Sequence, residues 1–220
     1  MNWSWQAVLR ERGVAWVETA SPAAQAQGLA ETVAAALRDA LASRGEARMA
    51  LSGGRSPIPF LQALACHVLD WEQVKLTLVD ERWVSSDQPE SNERLLRCHL
   101  QPVFDRLHWQ PLYQGVSPAQ DAATAGAALL EWQPLDVVVL GMGLDGHTAS
   151  LFPGQPQVSE WLQPDAGALC AAQAGAAPTE EARQPRGKAA PIIPTEVERK
   201  AHDLSHLPFR AWCRACVFGR

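Results

Sequence analysis

The stretch from Asp136 to Pro153, DVVVLGMGLDGHTASLFP, most constrains what this chain can fold into. It opens on an apolar, mostly β-branched run, Val137 to Leu140, bounded by Asp136 and Gly141. Such a run reads as a strand buried on both faces of a parallel sheet. Glycines at 141, 143 and 146 then let the backbone turn sharply with its N–H groups outward, a shape that can hold an anion or an oxyanion without side chains. His147 follows at once. A side chain that titrates near neutrality, at the carboxyl end of a strand beside a glycine nest, suits acid–base catalysis, with a capping or core histidine as the alternative. The segment Gly141 to Gly146 also spells the dinucleotide fingerprint G-x-G-x-x-G. That reading fails on context: Pro153, Gly154 and Pro156 stop any helix after about two turns, where a Rossmann turn needs a long crossover helix.

At 220 residues and 47% hydrophobic, the chain can bury one good core. A net charge of −5 argues against a nucleic-acid binder across its main body. No apolar run approaches the ~20 residues of a membrane span, and MNWSWQAVLRERG lacks a signal peptide's apolar region, so a cytoplasmic location is expected. The five cysteines are odd in number, with Cys66, Cys98 and Cys170 widely scattered, and are expected to be reduced.

In chain order, an edge strand is expected around Val14 to Glu18. Ser21 and Pro22 then start a long helix with Leu29, Val33, Leu37 and Leu41 as its apolar stripe, ending near Gly45. A strand at Arg48 to Leu51 runs into Ser52-Gly53-Gly54-Arg55-Ser56-Pro57. With Ser56 as cap and Pro57 opening a helix through Phe60, Leu64 and Val68, the glycines and Arg55 sit where a helix N-terminus attracts phosphate. An ordinary strand-to-helix turn is the alternative. A third strand, Val74 to Val79, ends in Asp80-Glu81-Arg82-Trp83, at the position where open α/β sheets put their ligands. Taken alone this is as well a solvated strand end, but three strands end in loops carrying such residues. Ser91 and Asn92 start a further helix, and another spans Pro118 to Leu130. The β-α-β-α alternation with short connections predicts a parallel sheet with helices on both faces and a site at one rim.

Ala50 to Pro57 (ALSGGRSP), Val79 to Trp83 (VDERW) with Ser91-Asn92, and Gly141 to Pro153 (GMGLDGHTASLFP) resemble the three signature segments of the 6-phosphogluconolactonases, in the same order. The resemblance covers roughly residues 10–175. It implies a Rossmann-like α/β fold of the sugar-phosphate isomerase/lactonase type, and hydrolysis of 6-phosphoglucono-δ-lactone in the oxidative pentose phosphate pathway without metal or organic cofactor. His147 would be the general base on water, with Asp145 orienting the imidazole and amides of Gly141, Gly143 and Gly146 at the oxyanion. The 6-phosphate would lie against Gly53, Gly54, Arg55 and Ser56, with Arg82 as second cation, while Asp80 and Asn92 bind sugar hydroxyls or hold the loop. The competing reading is a glucosamine-6-phosphate deaminase or isomerase, which uses a similar Asp-Gly-His turn; the continuation Thr148 to Pro153 resembles the lactonase version.

The resemblance ends near Pro178, which suggests a main domain over 1–177 and an atypical tail over 178–220. Residues 178–220 carry eight Lys and Arg against five Asp and Glu, while residues 1–177 carry eleven against nineteen. With prolines at 178, 185, 191 and 194, the tail is expected to be disordered. His202, His206, Cys213 and Cys216 have zinc-ligand spacing within each pair, although the gap between the pairs is shorter than a finger loop. The tail also resembles the cysteine-histidine region of retrotransposon polyproteins. A different class of reading follows, a lactonase remnant with a metal- or nucleic-acid-binding tail.

Overall fold

A computed structural model describes residues 9–163 and 169–172 of the chain. Among these, residues from 19 onward form one compact unit, and residues 9–18 belong to a second. The tail, with His202, His206, Cys213 and Cys216, lies outside the described residues.

The first long helix, α1 (Pro22–Arg44), begins and ends where its sequence dictates. The Ser21 hydroxyl accepts the Ala24 amide at 3.1 Å, proline opens the helix, and Gly45 closes it at φ 78° with its N–H on the Leu41 carbonyl. Its buried face is Ala30, Val33, Ala34, Leu37 and Ala40, and Leu29 stays 37% exposed. The expected stripe repeated every four residues, so it drifts about 40° per step around a helix of 3.6 residues per turn and leaves the sheet at Leu29.

Strands β1 (Ala47–Leu51), β2 (Val74–Leu78), β3 (His108–Gln110) and β4 (Val137–Val139) form one parallel sheet in the order β3-β2-β1-β4. Register sets Met49 beside Leu76 and Val137, and Leu51 beside Leu78 and Val139. These rows pack against α1 and against α2 (Ile58–Ala65), α3 (Asn92–His99) and α4 (Gln101–Phe104), with Trp71 buried among them. The opposite row is Ala50, Thr77 and Val138. Here β4 departs from the sequence reading: among the described residues it is an edge strand, and Val138 is 48% exposed. A β-branched run looks the same whether one or both of its faces are covered.

Two other expectations fail. Residues 14–18 form no strand. Helix α2 starts one residue late, with Pro57 as its cap and no side-chain capping bond from Ser56, and it ends at Ala65; Val68 is almost fully exposed. The burial that Val68 was expected to provide comes from Leu69 and Trp71 beyond the turn.

The starts of the strands are tied by charge. The guanidinium of Arg44 meets both oxygens of Asp136 at 2.6 Å, and Asp136 also accepts the Arg48 amide at 2.8 Å. Glu46 pairs with Arg48 and with Lys75, whose ammonium lies over the Trp132 ring. Hydrogen bonds from Lys75 and Arg48 hold the Glu46 carboxyl down to about 2. No helix among the described residues is long and apolar enough to cross a membrane.

Helix α5 (Pro118–Leu130) buries Asp121 in its first turn. The carboxylate accepts the amides of Gln114 and Gly115 at 2.9 Å, that of Val116 at 3.2 Å and the Trp83 indole at 3.0 Å. Removal from water opposes ionisation, but these four donors outweigh it and bring Asp121 to about 2.

Two predictions test this packing. Leu37→Ala should cost about 2–5 kcal/mol as a core truncation, and Leu29→Ala about 1 kcal/mol or less, measured by urea unfolding. Equal losses would restore the four-residue stripe. The folded-state pKa of Asp121 lies below its unfolded value near 3.9, so its ionic contribution is full above pH ~4 and lost as pH falls through about 2. The stability gap between the parent and Asp121→Asn should therefore narrow across that window.

Candidate active site

The loops that carry the sequence motifs leave the carboxyl ends of β1, β2 and β4. The order β3-β2-β1-β4 places a topological switch point between β1 and β4, since the chain moves outward from β1 through β2 to β3 and then returns to the other side of β1. Ligand crevices of open α/β sheets form at such a point.

Ser52 joins the two sides. It is buried, its amide and hydroxyl both donate to the Val139 carbonyl (3.1 and 3.0 Å), and the hydroxyl accepts the Gly141 amide at 3.1 Å. Gly53 follows, where a Cβ would sit 1.9 Å from the Asn92 side-chain oxygen, so only glycine admits that amide. Gly54 adopts φ 91°, and Arg55 and Ser56 are exposed.

At the end of β2, Glu81 organises the loop. Its carboxylate accepts the amides of Arg82, Asn92 and Glu93, each at 2.8 Å, and the Ser91 hydroxyl at 3.1 Å. Two of these amides belong to the first turn of α3, which has no helical partner for them. Burial pushes the Glu81 carboxyl up, with the four hydrogen bonds acting against it. Asn92 is buried as well: its amide nitrogen donates to the Asp80 carbonyl at 2.9 Å, and its oxygen accepts the Arg82 guanidinium at 3.0 Å. The same Arg82 nitrogen reaches the Glu90 carbonyl at 2.8 Å. The Asp80 carboxylate accepts the Ser150 hydroxyl at 2.7 Å. Trp83 bonds to Asp121 and meets the Tyr113 ring edge-on at 5.8 Å.

The glycine loop closes on itself. Gly143 donates to the His147 carbonyl at 2.8 Å and Gly146, at φ 87°, to the Gly143 carbonyl at 3.0 Å. With Gly141 held by Ser52, all three glycine amides are engaged inside the protein, which corrects the expectation that they point outward to receive an oxyanion. A turn this tight uses its own N–H groups to close. At Gly143 a Cβ would lie 2.1 Å from the His147 ring, so the glycine is needed for space.

His147 Nδ1 stands 2.5 Å from Asp145 Oδ1, and the Phe152 ring lies 4.6 Å from the imidazole. Removal from water pushes the Asp145 carboxyl up, but the ring and backbone N–H donors of His147 prevail and hold it below the usual carboxylate value. An ionised Asp145 accepts, so in the neutral imidazole the proton sits on Nδ1 and the lone pair on Nε2. The pair can therefore take a proton at Nε2.

Six of the sequence-predicted residues fall into two groups. Asp145 and His147 are in direct contact, and Gly53, Asp80, Arg82 and Asn92 form one connected cluster that reaches the glycine loop through Ser150. Glu81 and Ser52 carry no assignment from sequence, although both lie inside the motifs. Apart from the Arg82 amide, their partners are ten or more residues away, and no local pattern reveals them. Among the described residues no group of three or more His, Cys, Asp or Glu converges as a metal site.

Residues 20–183 match the family model described as glucosamine-6-phosphate isomerases/6-phosphogluconolactonase. A 6-phosphogluconolactonase of Pseudomonas aeruginosa is 44% identical over 153 residues, which are 68% of this chain and 64% of that protein. One from Pseudomonas putida is 46% identical over 147 residues, 66% of this chain and 61% of its own. The chain therefore spans a little under two thirds of the length of these relatives. A crystal structure of a 6-phosphogluconolactonase from Shewanella baltica superposes with a TM-score of 0.62 at 39% identity, covering 66% of this chain and 64% of that one. The matched span holds the Ser52 turn, the Asp80 loop and the Asp145–His147 pair together, and the chain belongs to the glucosamine-6-phosphate isomerase/6-phosphogluconolactonase family.

Proposed function

We propose that the chain hydrolyses 6-phosphoglucono-δ-lactone to 6-phosphogluconate, with His147 as general base. The observation that carries this reading is the 2.5 Å contact of His147 Nδ1 with Asp145, which leaves Nε2 as acceptor at the carboxyl end of β4. Nε2 takes a proton from water as the water oxygen bonds to the lactone carbonyl carbon. The tetrahedral adduct then collapses, the ring C–O bond breaks, and the imidazolium returns its proton to the departing ring oxygen. Asp145 supports the imidazolium while it exists. Arg55 and Arg82, on the loops after β1 and β2, bind the 6-phosphate, together with Gly53, Gly54 and Ser56. Gly141, Gly143 and Gly146 act by shaping the turn under His147. No metal or organic cofactor enters this scheme. A cytoplasmic location belongs with it, because a phosphorylated sugar lactone is too polar to cross a bilayer unaided.

Measuring lactone hydrolysis beside ammonia release from glucosamine 6-phosphate tests the reading. Lactone turnover alone is expected, and ammonia release alone would assign the chain to the deaminase branch of its family. His147→Ala should lower kcat by ~10²–10⁴-fold, the usual worth of a positioned base. Asp145→Asn, which can donate to Nδ1 and so place the proton on Nε2, should lower it by about 10²-fold. Near-normal turnover in a folded His147→Ala variant would remove the histidine from the mechanism. Arg55→Ala and Arg82→Ala should each weaken use of the phosphorylated lactone while sparing unphosphorylated gluconolactone. Equal losses on both substrates would make the arginines structural.

A further inference from the structure

The glycine loop after β4 and the Asp80 loop after β2 do not leave neighbouring strands. β1 stands between them, and with strands about 4.8 Å apart the two loops start roughly 10 Å from one another. Across that gap runs the hydrogen bond from the Ser150 hydroxyl to the Asp80 carboxylate, 2.7 Å long and linking residues seventy positions apart. On one side it meets a turn that is already stiff. The Thr148 hydroxyl donates to the Gly141 carbonyl at 2.9 Å, and the Leu151 amide to the Thr148 carbonyl at 2.9 Å. Between them Ala149 has φ 48°, a left-handed conformation that a residue with a Cβ keeps only where its surroundings impose it. On the other side the Asp80 carbonyl accepts from Asn92, whose oxygen accepts from Arg82. His147 lies three residues before Ser150, and Arg82 two residues after Asp80.

We propose that Ser150 is a positioning residue whose hydroxyl, fastened to Asp80, fixes the loop bearing His147 against the loop bearing Arg82. Asp80 is then an anchor for the neighbouring loop, with its carboxylate committed to Ser150 and not to a sugar hydroxyl. The clamp sets the separation between the base and the phosphate-binding cation. A substrate that touches both loops feels that separation, and one without a phosphate does not. The catalytic part of this inference rests on the lactonase reading above; the clamp itself does not.

The test compares Ser150→Ala, Ser150→Thr, Asp80→Ala and the Ser150→Ala/Asp80→Ala pair with the parent chain. For 6-phosphogluconolactone, kcat/KM should fall about 10-fold in Ser150→Ala, and distinctly less for gluconolactone. Ser150→Thr keeps the hydroxyl and should stay within about 3-fold of the parent. The double variant should be no worse than the worse single, because both singles break one bond. Equal fractional losses on the two lactones, or losses that multiply in the double variant, overturn the proposal. Amide hydrogen exchange supplies a readout that needs no turnover. Ser150→Ala and Asp80→Ala should both speed exchange across residues 143–151 and leave residues 47–51 unchanged; unchanged exchange across 143–151 overturns the clamp. If Ser150→Ala also speeds exchange at 47–51, its fold is lost, and Asp80→Ala is judged alone by the same criterion. A parent chain inactive on both lactones would defeat the lactonase reading, and the exchange result would still decide the clamp.

Discussion

The hydroxyl of Ser52 holds the site together. It donates to the carbonyl of Val139, accepts from the amide of Gly141, and so seals β1 to β4 at the place where, among the described strands, neighbours send their loops apart. Both partners are main-chain groups, one the last residue of β4 and the other two residues beyond it, where the ladder with β1 runs out. A neutral hydroxyl satisfies both a donor and an acceptor without bringing a charge into the switch point. The geometry of the glycine loop, and with it the position of His147, starts from that junction.

On the β2 side a charged group does the equivalent work. Glu81 sits under its own loop and gathers four donors, two of them from the start of α3. A carboxylate in that place satisfies amides that a helix terminus always leaves over, and it favours the positive end of the helix dipole. Burial and hydrogen bonding pull its proton affinity in opposite directions, and burial prevails. The loop is thereby folded tightly enough that Asn92 packs on Gly53 and meets Arg82, which brings residues of two separate motifs into one cluster.

How much of this was legible in the sequence follows from the range of the interactions. The caps of α1 and α3 were readable, because Ser21 and Ser91 each bond to an amide three residues on. The Asp145–His147 pair was readable for the same reason, as its partners stand two residues apart. What sequence did not disclose depends on third parties. The role of Ser52 requires β4 as neighbour, that of Glu81 requires the return of α3, and that of Asp121 requires the loop from Gln114 to Val116 to fold back over it. The exposed side of β4 escaped because Val137 to Leu140 are apolar at every position, so no alternation marks which face the core lacks. The glycines were placed correctly as a turn, but the turn consumes its own amides, and composition alone does not distinguish an open nest from a closed one.

The two ends of the sheet are fastened by different physics. At the strand starts, Arg44 with Asp136 and Glu46 with Arg48 and Lys75 hold by charge, and several of these side chains are partly exposed. At the strand ends, beside the crevice, the ties are hydroxyls, amides and a buried carboxylate. Mobile ions screen exposed pairs and reach buried hydrogen bonds far less. Rising ionic strength therefore loosens the rim remote from His147 first, and the rim that carries His147 keeps its shape across a range of salt in which the opposite rim has lost much of its grip.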